Sequence, residues 1–345
     1  MPLTQAQALD MLRSDDLIGI GMEADVVRRR LHPGNVVSYQ VDRNINYTNI
    51  CTEYCSFCAF YRPVGSPEGY VQPLESIYRK IDETLALGGT GILMQGGLHP
   101  DLKIDYYENL LSSIKRRYPR LHLHCFSAPE VLNIAELSGL SLRDTILRLR
   151  DAGLDSIPGA GAEILDDEVR YRIARLKCST EEWIAVHRTA HQLGLRTTAT
   201  MMFGCGETLE HRVRHLERLR QLQEETGGFT AFIPWMFQPT HTSLGRTIKE
   251  EATAVDYLKT LAVSRCYLDN IVNVQASWLT PGHKICQIAL RFGGNDVGSI
   301  LIEENVVSAA GCTNTSTEEQ LRRLIADAGF RPVKRDTLYR TYFLN

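Results

Sequence analysis

The chain predicts an α/β fold, specifically a (β/α)8 TIM-type barrel with a helical N-terminal extension. Three observations carry that prediction. Eight short apolar segments alternate with eight longer amphipathic ones over residues 43–328; strict alternation calls for a parallel sheet with crossover helices, and a count near eight calls for closure. Glycine-rich or polar motifs follow the strands, GGLHP at 96–100, FSAPE at 126–130, PGAGAEIL at 158–165 and GCGET at 204–208. Barrels build their sites at those strand ends, where backbone must approach a ligand closely. The third observation is an absence: the glycine fingerprint that an open doubly wound sheet carries after its first strand is missing.

The elements follow in chain order. TQAQALDMLR (4–13) predicts a helix capped by Thr4, with Leu9 and Leu12 at helical spacing. EADVVRRRLHPG predicts a second helix ending at Pro33-Gly34, and together these give a helical extension over residues 1–40. The barrel, with a C-terminal segment, takes residues 41–345. Its strands are expected at 43–50, 90–95, 121–126, 154–157, 196–203, 229–235, 271–276 and 297–302, from β-branched and apolar runs bounded by turn residues. Its helices are expected at 73–87, 105–117, 141–152, 179–193, 207–225, 252–269, 283–290 and 317–328. No repeat, low-complexity stretch or linker divides the chain.

Composition restricts the partners. With 345 residues, 43% hydrophobic and 23% charged, the chain can bury a large core, and a net charge of -3 leaves no electrostatic footprint for nucleic acid or an anionic membrane. A small-molecule substrate is expected. The N-terminus has acids early and no basic start before an apolar core, and no apolar run nears the roughly 18 residues of a membrane span. A cytoplasmic protein is expected. Its nine cysteines are an odd number in a reducing compartment, which argues against a disulfide framework. Six of them, Cys125, Cys178, Cys205, Cys266, Cys286 and Cys312, lack ligand spacing and read as small buried apolar residues.

The other three stand in CTEYCSFC (51–58), after the first expected barrel strand. Structural zinc takes four ligands, usually two cysteine pairs or a pair of cysteines with a pair of histidines, and here the nearest histidine, His99, is on another loop. An iron-sulfur cube also normally takes four thiolates. Three from one loop leave one iron open to an outside ligand.

The C-x3-C-x2-C spacing, with Phe57 before the last cysteine and Gly96-Gly97 after the second strand, resembles the signature of radical S-adenosylmethionine enzymes. The resemblance implies a 4Fe-4S cluster held by Cys51, Cys55 and Cys58, whose open iron chelates S-adenosylmethionine. One electron then cleaves the cofactor to methionine and a 5'-deoxyadenosyl radical. RNINYTNIC (43–51), CAFYR (58–62), QGGLHP (95–100), SIPGAGAEIL (156–165), TATMMFG (198–204), IPWMFQP (233–239) and EENVVSAAG (303–311) narrow the likeness to the dehypoxanthine futalosine cyclases of menaquinone biosynthesis. It departs at 282–299, where His283 and Gly294 replace an expected proline and alanine, and at 173–177, which lacks a proline-glycine. The aminofutalosine synthases and deazaflavin (F420) synthases are similar in the cysteine loop. The implied reaction takes hydrogen from the ribose C4' and joins that carbon to the benzoate ring, with an external electron donor such as flavodoxin or ferredoxin.

Such chemistry asks for particular groups. For the cofactor the candidates are Phe57 against the adenine, Gly96 and Gly97 beside the methionine amino group, Glu163 on the ribose hydroxyls, Lys177 and Arg175 on the carboxylate, and Ser127 and Gly204 by their strand-exit positions. Arginine suits a benzoate because its planar fork matches a carboxylate, which nominates Arg43, Arg62 and Arg291. A proton acceptor titrating near neutrality nominates His99 or His283. Asp296, Glu303 and Glu304 lie near the last strand, where they are expected to meet the substrate, with Asp296 and Glu304 as further catalytic candidates, and one of His122 and His124 is expected to face the interior. Each has a structural alternative: a turn for the glycines, a helix cap for Glu163 or Glu304, a solvated face for the two bases. A rival of another class is an electron carrier whose cluster takes a fourth thiolate, such as Cys205.

Overall fold

The structure is a computed structural model that describes residues 3–340; the outermost residues of both predicted units, 1–2 and 341–345, lie outside the described residues. Two helices lead, α1 (Gln5–Arg13) and α2 (Leu17–Leu31), then strands β1 (Val36–Gln40) and β2 (Asn44–Ile45). There follow α3 (Leu74–Ala86), β3 (Gly91–Met94), α4 (Ile104–Arg117), β4 (His122–Cys125), α5 (Ala128–Ser138), α6 (Leu142–Ala152) and β5 (Ser156–Ile157). Next come α7 (Asp167–Ile173), α8 (Thr180–Gln192), β6 (Arg196–Phe203), α9 (Leu209–Thr226), β7 (Phe229–Met236), α10 (Ala254–Tyr267) and β8 (Asn273–Val274). The chain ends through α11 (His283–Ala289), β9 (Asp296–Ser299), α12 (Val306–Ala309), α13 (Glu318–Asp327) and β10 (Arg331–Lys334).

Strands β2 to β8 form one parallel sheet in sequence order. From β8 the backbone bonds pass to β9, with Asn295 N–H donating to the Val274 carbonyl at 3.1 Å and Ala276 N–H to that of Asp296 at 2.8 Å. Strand β9 pairs in parallel with β1, Ile302 N–H donates to the Asp42 carbonyl at 3.1 Å, and β1 runs on into β2. The circuit of pairings therefore returns on itself, which is the barrel the alternation predicts. Strand β10 adds to the free edge of β1 in parallel. Outside, α2 packs on α10 and α1 on α9, so the N-terminal helices cover the barrel's flank. Thr4 caps α1, its hydroxyl accepting from Gln7 N–H.

The eight expected strands are present, with one change at the start. Residues 36–40, assigned to the helical extension, are strand β1, because VVSYQ is a β-branched and aromatic run that joins the ladder. The first barrel strand thus begins seven residues before the expected 43 and ends early, at Ile45, where Thr48 and Asn49 turn their bonds to the loop of residues 62–71. Helices α5, α7 and α12 and strand β10 were not expected. Helix α5 carries a legible start, Ser127-Ala-Pro-Glu130, in which Ser127 and Glu130 form a reciprocal capping box with proline in the first turn.

Candidate active site

Inside the strand ends lies a cavity of about 430 Å³ lined by residues from most strands and from the cysteine loop. Inward and outward side chains alternate along each strand, and the alternation decides what the cavity meets. Along the β1–β2 run, Gln40, Asp42, Asn44 and Asn46 face it, as do Leu93 and Gln95, Thr198 and Thr200, Gln275 and Ser277, and Val297 and Ser299 on later strands.

Cys51, Cys55 and Cys58 line the upper wall. The loop is fixed by backbone bonds: Cys51 N–H donates to the Arg62 carbonyl, Thr52 N–H to that of Leu98, and Ser56 N–H to that of Ile173. Gly96 and Gly97 make room for it, since a Cβ at Gly97 would stand 2.3 Å from the Ile50 carbonyl oxygen and one at Gly96 2.7 Å from the Tyr47 ring. Both glycine N–H groups are used within the protein, by Glu130 and by the Thr48 carbonyl. The glycines face the cavity while they seat the cysteine loop.

The donor set fits a cluster better than one metal ion. Among the described residues, the three thiols are not a group whose ligand atoms lie within 4.8 Å of one another; only Asp166, Glu168 and His211 are, at the start of α7 and α9. A single zinc ion needs converging ligands, whereas a cube that takes each thiolate on a different iron needs them apart. Burial pushes the Cys55 thiol up to about 12, against the pull of Lys177, and raises Cys51 as well. Loading iron would therefore displace protons. Cys205 is absent from the cavity wall; it is buried with its thiol on Glu207 at 3.3 Å. Among the described residues no fourth cysteine joins the three at the cavity.

Next to the thiols stands a buried ion pair. Lys177 Nζ meets Glu163 at 2.6 Å, with side-chain exposures of 12% and 6%, and the ammonium lies over the Phe57 ring, 5.1 Å from its centroid. Phe57, Glu163 and Lys177 all line the cavity, whereas Arg175 is exposed. Glu163 adopts φ +41, a conformation uncommon outside glycine and asparagine, which fits a side chain held in place by its partner. Ser127 lines the cavity through α5's cap. Gly204 does not, because its N–H turns back to Glu207 and its α-carbon faces Ala252.

The expected carboxylate clamp is not where the sequence put it. Arg43 points outward, since it alternates with Asp42 and Asn44, and pairs with Glu83 at 2.8 Å and Glu303 at 3.5 Å. Arg62 binds Glu68 and the carbonyls of Ala59, Phe60 and Tyr61 on the surface. Arg291 donates to the Ala328 carbonyl at 2.5 Å and covers Phe330. The arginine that does line the cavity is Arg335, just after β10. Its guanidinium holds Asp296 through two bonds of 2.5 and 2.9 Å and Gln40 at 2.7 Å. Asp296, fully buried and bound also by the Ser38 hydroxyl at 2.6 Å, is this arginine's partner and does not line the cavity.

The expected bases also move. His99 lies outside the cavity wall, with Nδ1 accepting from Asp101 N–H. His283 stacks on the outer side of Trp278, 5.3 Å between ring centres, and Trp278 is the residue that faces the cavity. Gly294, the other departure from the family pattern, packs on Ala276 and likewise stays off the wall. His124 faces the cavity and His122 does not, yet both rings bond the Ser156 hydroxyl, and burial lowers His124 to about 3, so it is neutral. Glu304 lines the cavity but accepts the N–H groups of Val306, Val307 and Ser308, which caps α12. Glu303 pairs with Lys80 and Arg43.

Besides Arg335, two groups went unnoticed in the sequence. Glu130 is buried at the wall and accepts from Gly96 N–H, Ser127 N–H and hydroxyl, and the Tyr47 hydroxyl. The run Gln40, Asp42, Asn44, Asn46 was legible as a two-residue polar period in QVDRNIN, once the strand is started at Val36.

Comparison with known proteins agrees with this geometry. Residues 45–219 match the radical SAM superfamily, and residues 226–344 match the CofH/MqnC C-terminal region. The chain is 48% identical to the cyclic dehypoxanthine futalosine synthase of Halalkalibacterium halodurans, covering 98% of this chain and 90% of that protein. The corresponding enzyme of Streptomyces coelicolor is 44% identical, covering 98% and 85%. The aminodeoxyfutalosine synthase of Thermus thermophilus is 39% identical, covering 98% and 92%. Among solved structures, methylornithine synthase shares the fold, with a TM-score of 0.72 at 20% identity over 96% of this chain and 94% of that one. The chain belongs to the radical S-adenosylmethionine superfamily and, within it, to the cyclic dehypoxanthine futalosine synthase family that carries the CofH/MqnC C-terminal region.

Proposed function

We infer that this chain cyclises dehypoxanthine futalosine to cyclic dehypoxanthine futalosine as a step of menaquinone biosynthesis, using a 4Fe-4S cluster and S-adenosylmethionine. The observation that carries the reading is identity over nearly the whole chain to two enzymes of that name, at 48% and 44%, above the 42% to a 5-amino-6-(D-ribitylamino)uracil–L-tyrosine 4-hydroxyphenyl transferase and the 39% to an aminodeoxyfutalosine synthase. When bound, the cluster and S-adenosylmethionine supply a radical able to take hydrogen from unactivated carbon. The chain's own residues do the rest. Cys51, Cys55 and Cys58 would hold the iron. Glu163 and Lys177, paired beside them, would meet the cofactor's hydroxyl and carboxylate groups, with the Lys177 ammonium set over the Phe57 ring. Trp235 and Trp278 on the cavity wall help keep water from a reactive carbon centre.

Arg335, which lines the cavity where the three expected arginines do not, is the arginine on the substrate's side, and external reductant arrives from a small redox protein such as a flavodoxin or ferredoxin. Among the described residues no helix is long and apolar enough to cross a membrane, and all nine cysteines are free, which suits the reducing cytoplasm. An electron carrier fits poorly, since it needs no cavity of this size beside its cluster.

The test is an anaerobic assay of the reconstituted protein with reductant and S-adenosylmethionine, offering dehypoxanthine futalosine in one arm and the substrate of aminodeoxyfutalosine synthase in the other. Deoxyadenosine together with the cyclised product is expected in the first arm alone. An adenosyl adduct formed in the second arm would move the chain to the neighbouring enzyme.

A further inference from the structure

The four polar side chains that residues 40–46, along and just beyond β1 and β2, turn into the cavity are not alike. The outer two are satisfied within the protein. Gln40 accepts from Arg335 and donates to the Thr337 hydroxyl at 2.9 Å, and Asn46 donates to the Gln95 carbonyl and accepts from Asn305, both at 3.1 Å. The inner two each keep one acceptor without a partner. Asp42 Oδ1 and Asn44 Oδ1 are buried without a hydrogen-bond partner, on residues only 9% and 6% exposed, and both residues line the cavity. Buried acceptors are nearly always paired, so two adjacent orphans on one strand face mark a place where a ligand supplies the donors.

The chemistry of the ligand follows from the sign of the vacancy. Both unpaired atoms accept, so they require O–H or N–H groups. This step rests on the substrate proposed above, a ribose joined through a ketone chain to a benzoate. Its ionised benzoate and its ketone only accept hydrogen bonds, and its donors are the sugar hydroxyls. We propose that Asp42 and Asn44 form the subsite that binds the sugar hydroxyls of the substrate and thereby fixes which ribose carbon faces the cofactor.

The electrostatics agree. Burial raises the Asp42 carboxyl to about 6, with the neighbouring Asp296 raising it further and the Ser299 hydroxyl and Arg335 opposing. These, with Gln40 on the same strand and the buried Tyr339 hydroxyl after β10, are the polar and charged groups around it from β1, β9 and the segment after β10. Above that value the carboxylate is ionised and takes hydroxyl donors strongly; below it the protonated form loses an acceptor. Substrate binding is expected to weaken as pH falls through about 6.

The test measures binding by calorimetric titration of the reconstituted holoenzyme, separately from turnover. Dehypoxanthine futalosine and its 2'-deoxy and 3'-deoxy analogues are titrated into wild type, Asp42→Ala and Asp42→Asn. Replacing Asp42 by alanine is expected to raise Kd for the parent compound about tenfold to a hundredfold, the range for hydrogen bonds to a charged group. For at least one deoxy analogue the same substitution should change little, since the missing hydroxyl and the missing carboxylate are one interaction. Asp42→Asn, close to isosteric, carries the test if the alanine variant does not fold; its Kd should no longer depend on pH between 5 and 7. Equal weakening for the parent and both analogues, or no weakening at all, would overturn the subsite. Failure of wild type to bind dehypoxanthine futalosine would instead remove the substrate reading, and the subsite with it.

Discussion

The two ends of the cavity are built on opposite plans. At the upper end one short loop supplies three thiols, and the groups around them are already paired: Glu163 with Lys177, Gly96 with Glu130, Gly97 with Thr48. At the lower end no single motif contributes. Gln40 and Asp42 come from the start of the barrel, His124 from β4, and Arg335 and Tyr339 from its last segment, 295 residues from Gln40 to Arg335 along the chain. On the function proposed above, the upper end takes a cofactor common to a large superfamily and can be local, whereas the lower end has to fit one substrate and is assembled from side chains that only the closed barrel brings together.

Removing the cysteines breaks the upper end outright. Serine at Cys51, Cys55 or Cys58 is expected to lower bound iron and deoxyadenosine formation to background while far-ultraviolet circular dichroism stays as in wild type; cleavage of S-adenosylmethionine by any of the three would contradict the assignment. Each end also carries a buried ion pair, and the two can be compared directly. Breaking Glu163–Lys177 with Lys177→Met, or Arg335–Asp296 with Asp296→Asn, should each cost about 3–5 kcal/mol in chemical denaturation because one charge is left buried alone. Removing both charges of a pair should cost less than the sum of the single changes.

Acid tests the body of the barrel between the two ends. Burial lowers His124 and His215 to about 3 and His191 to about 4. A histidine whose folded value lies below its unfolded one contributes stability that is complete above the unfolded value and is lost as pH falls toward the folded one. Between pH 7 and pH 5 each should therefore remove about 2 kcal/mol, since the unfolded chain takes the proton and the folded chain does not. Denaturation curves at the two pH values measure the sum, and His124→Gln should reduce it. The smallest effects are expected at the arginines that lie outside both ends. Arg62→Ala and Arg291→Ala should stay within about 0.5 kcal/mol of wild type, as surface changes usually do. Their KM should hardly move; a large rise in either would return that residue to the substrate.

This contrast also explains what the sequence disclosed. The barrel was legible because alternation of apolar periods is a local signal, and the cysteine loop because three thiols in eight residues have few other uses. Arg43 was misplaced by one strand register. Arg43 sits between Asp42 and Asn44, and starting the strand at 43 instead of 36 hid that even positions face inward. Arg335 gave no signal, since its importance comes from β10 adding to the edge of β1 at the far end of the chain. His99 and His283 were chosen for their titration range, which says nothing about where a side chain points. The helix-cap alternative held for Glu304, whose carboxylate is taken up by α12.

The most direct measurement uses dehypoxanthine futalosine carrying deuterium at the ribose C4'. The account predicts that the label appears in 5'-deoxyadenosine while the unlabelled cyclised product accumulates in equal amount. Cyclised product without transfer of the label, or deoxyadenosine with no cyclised product, would contradict it.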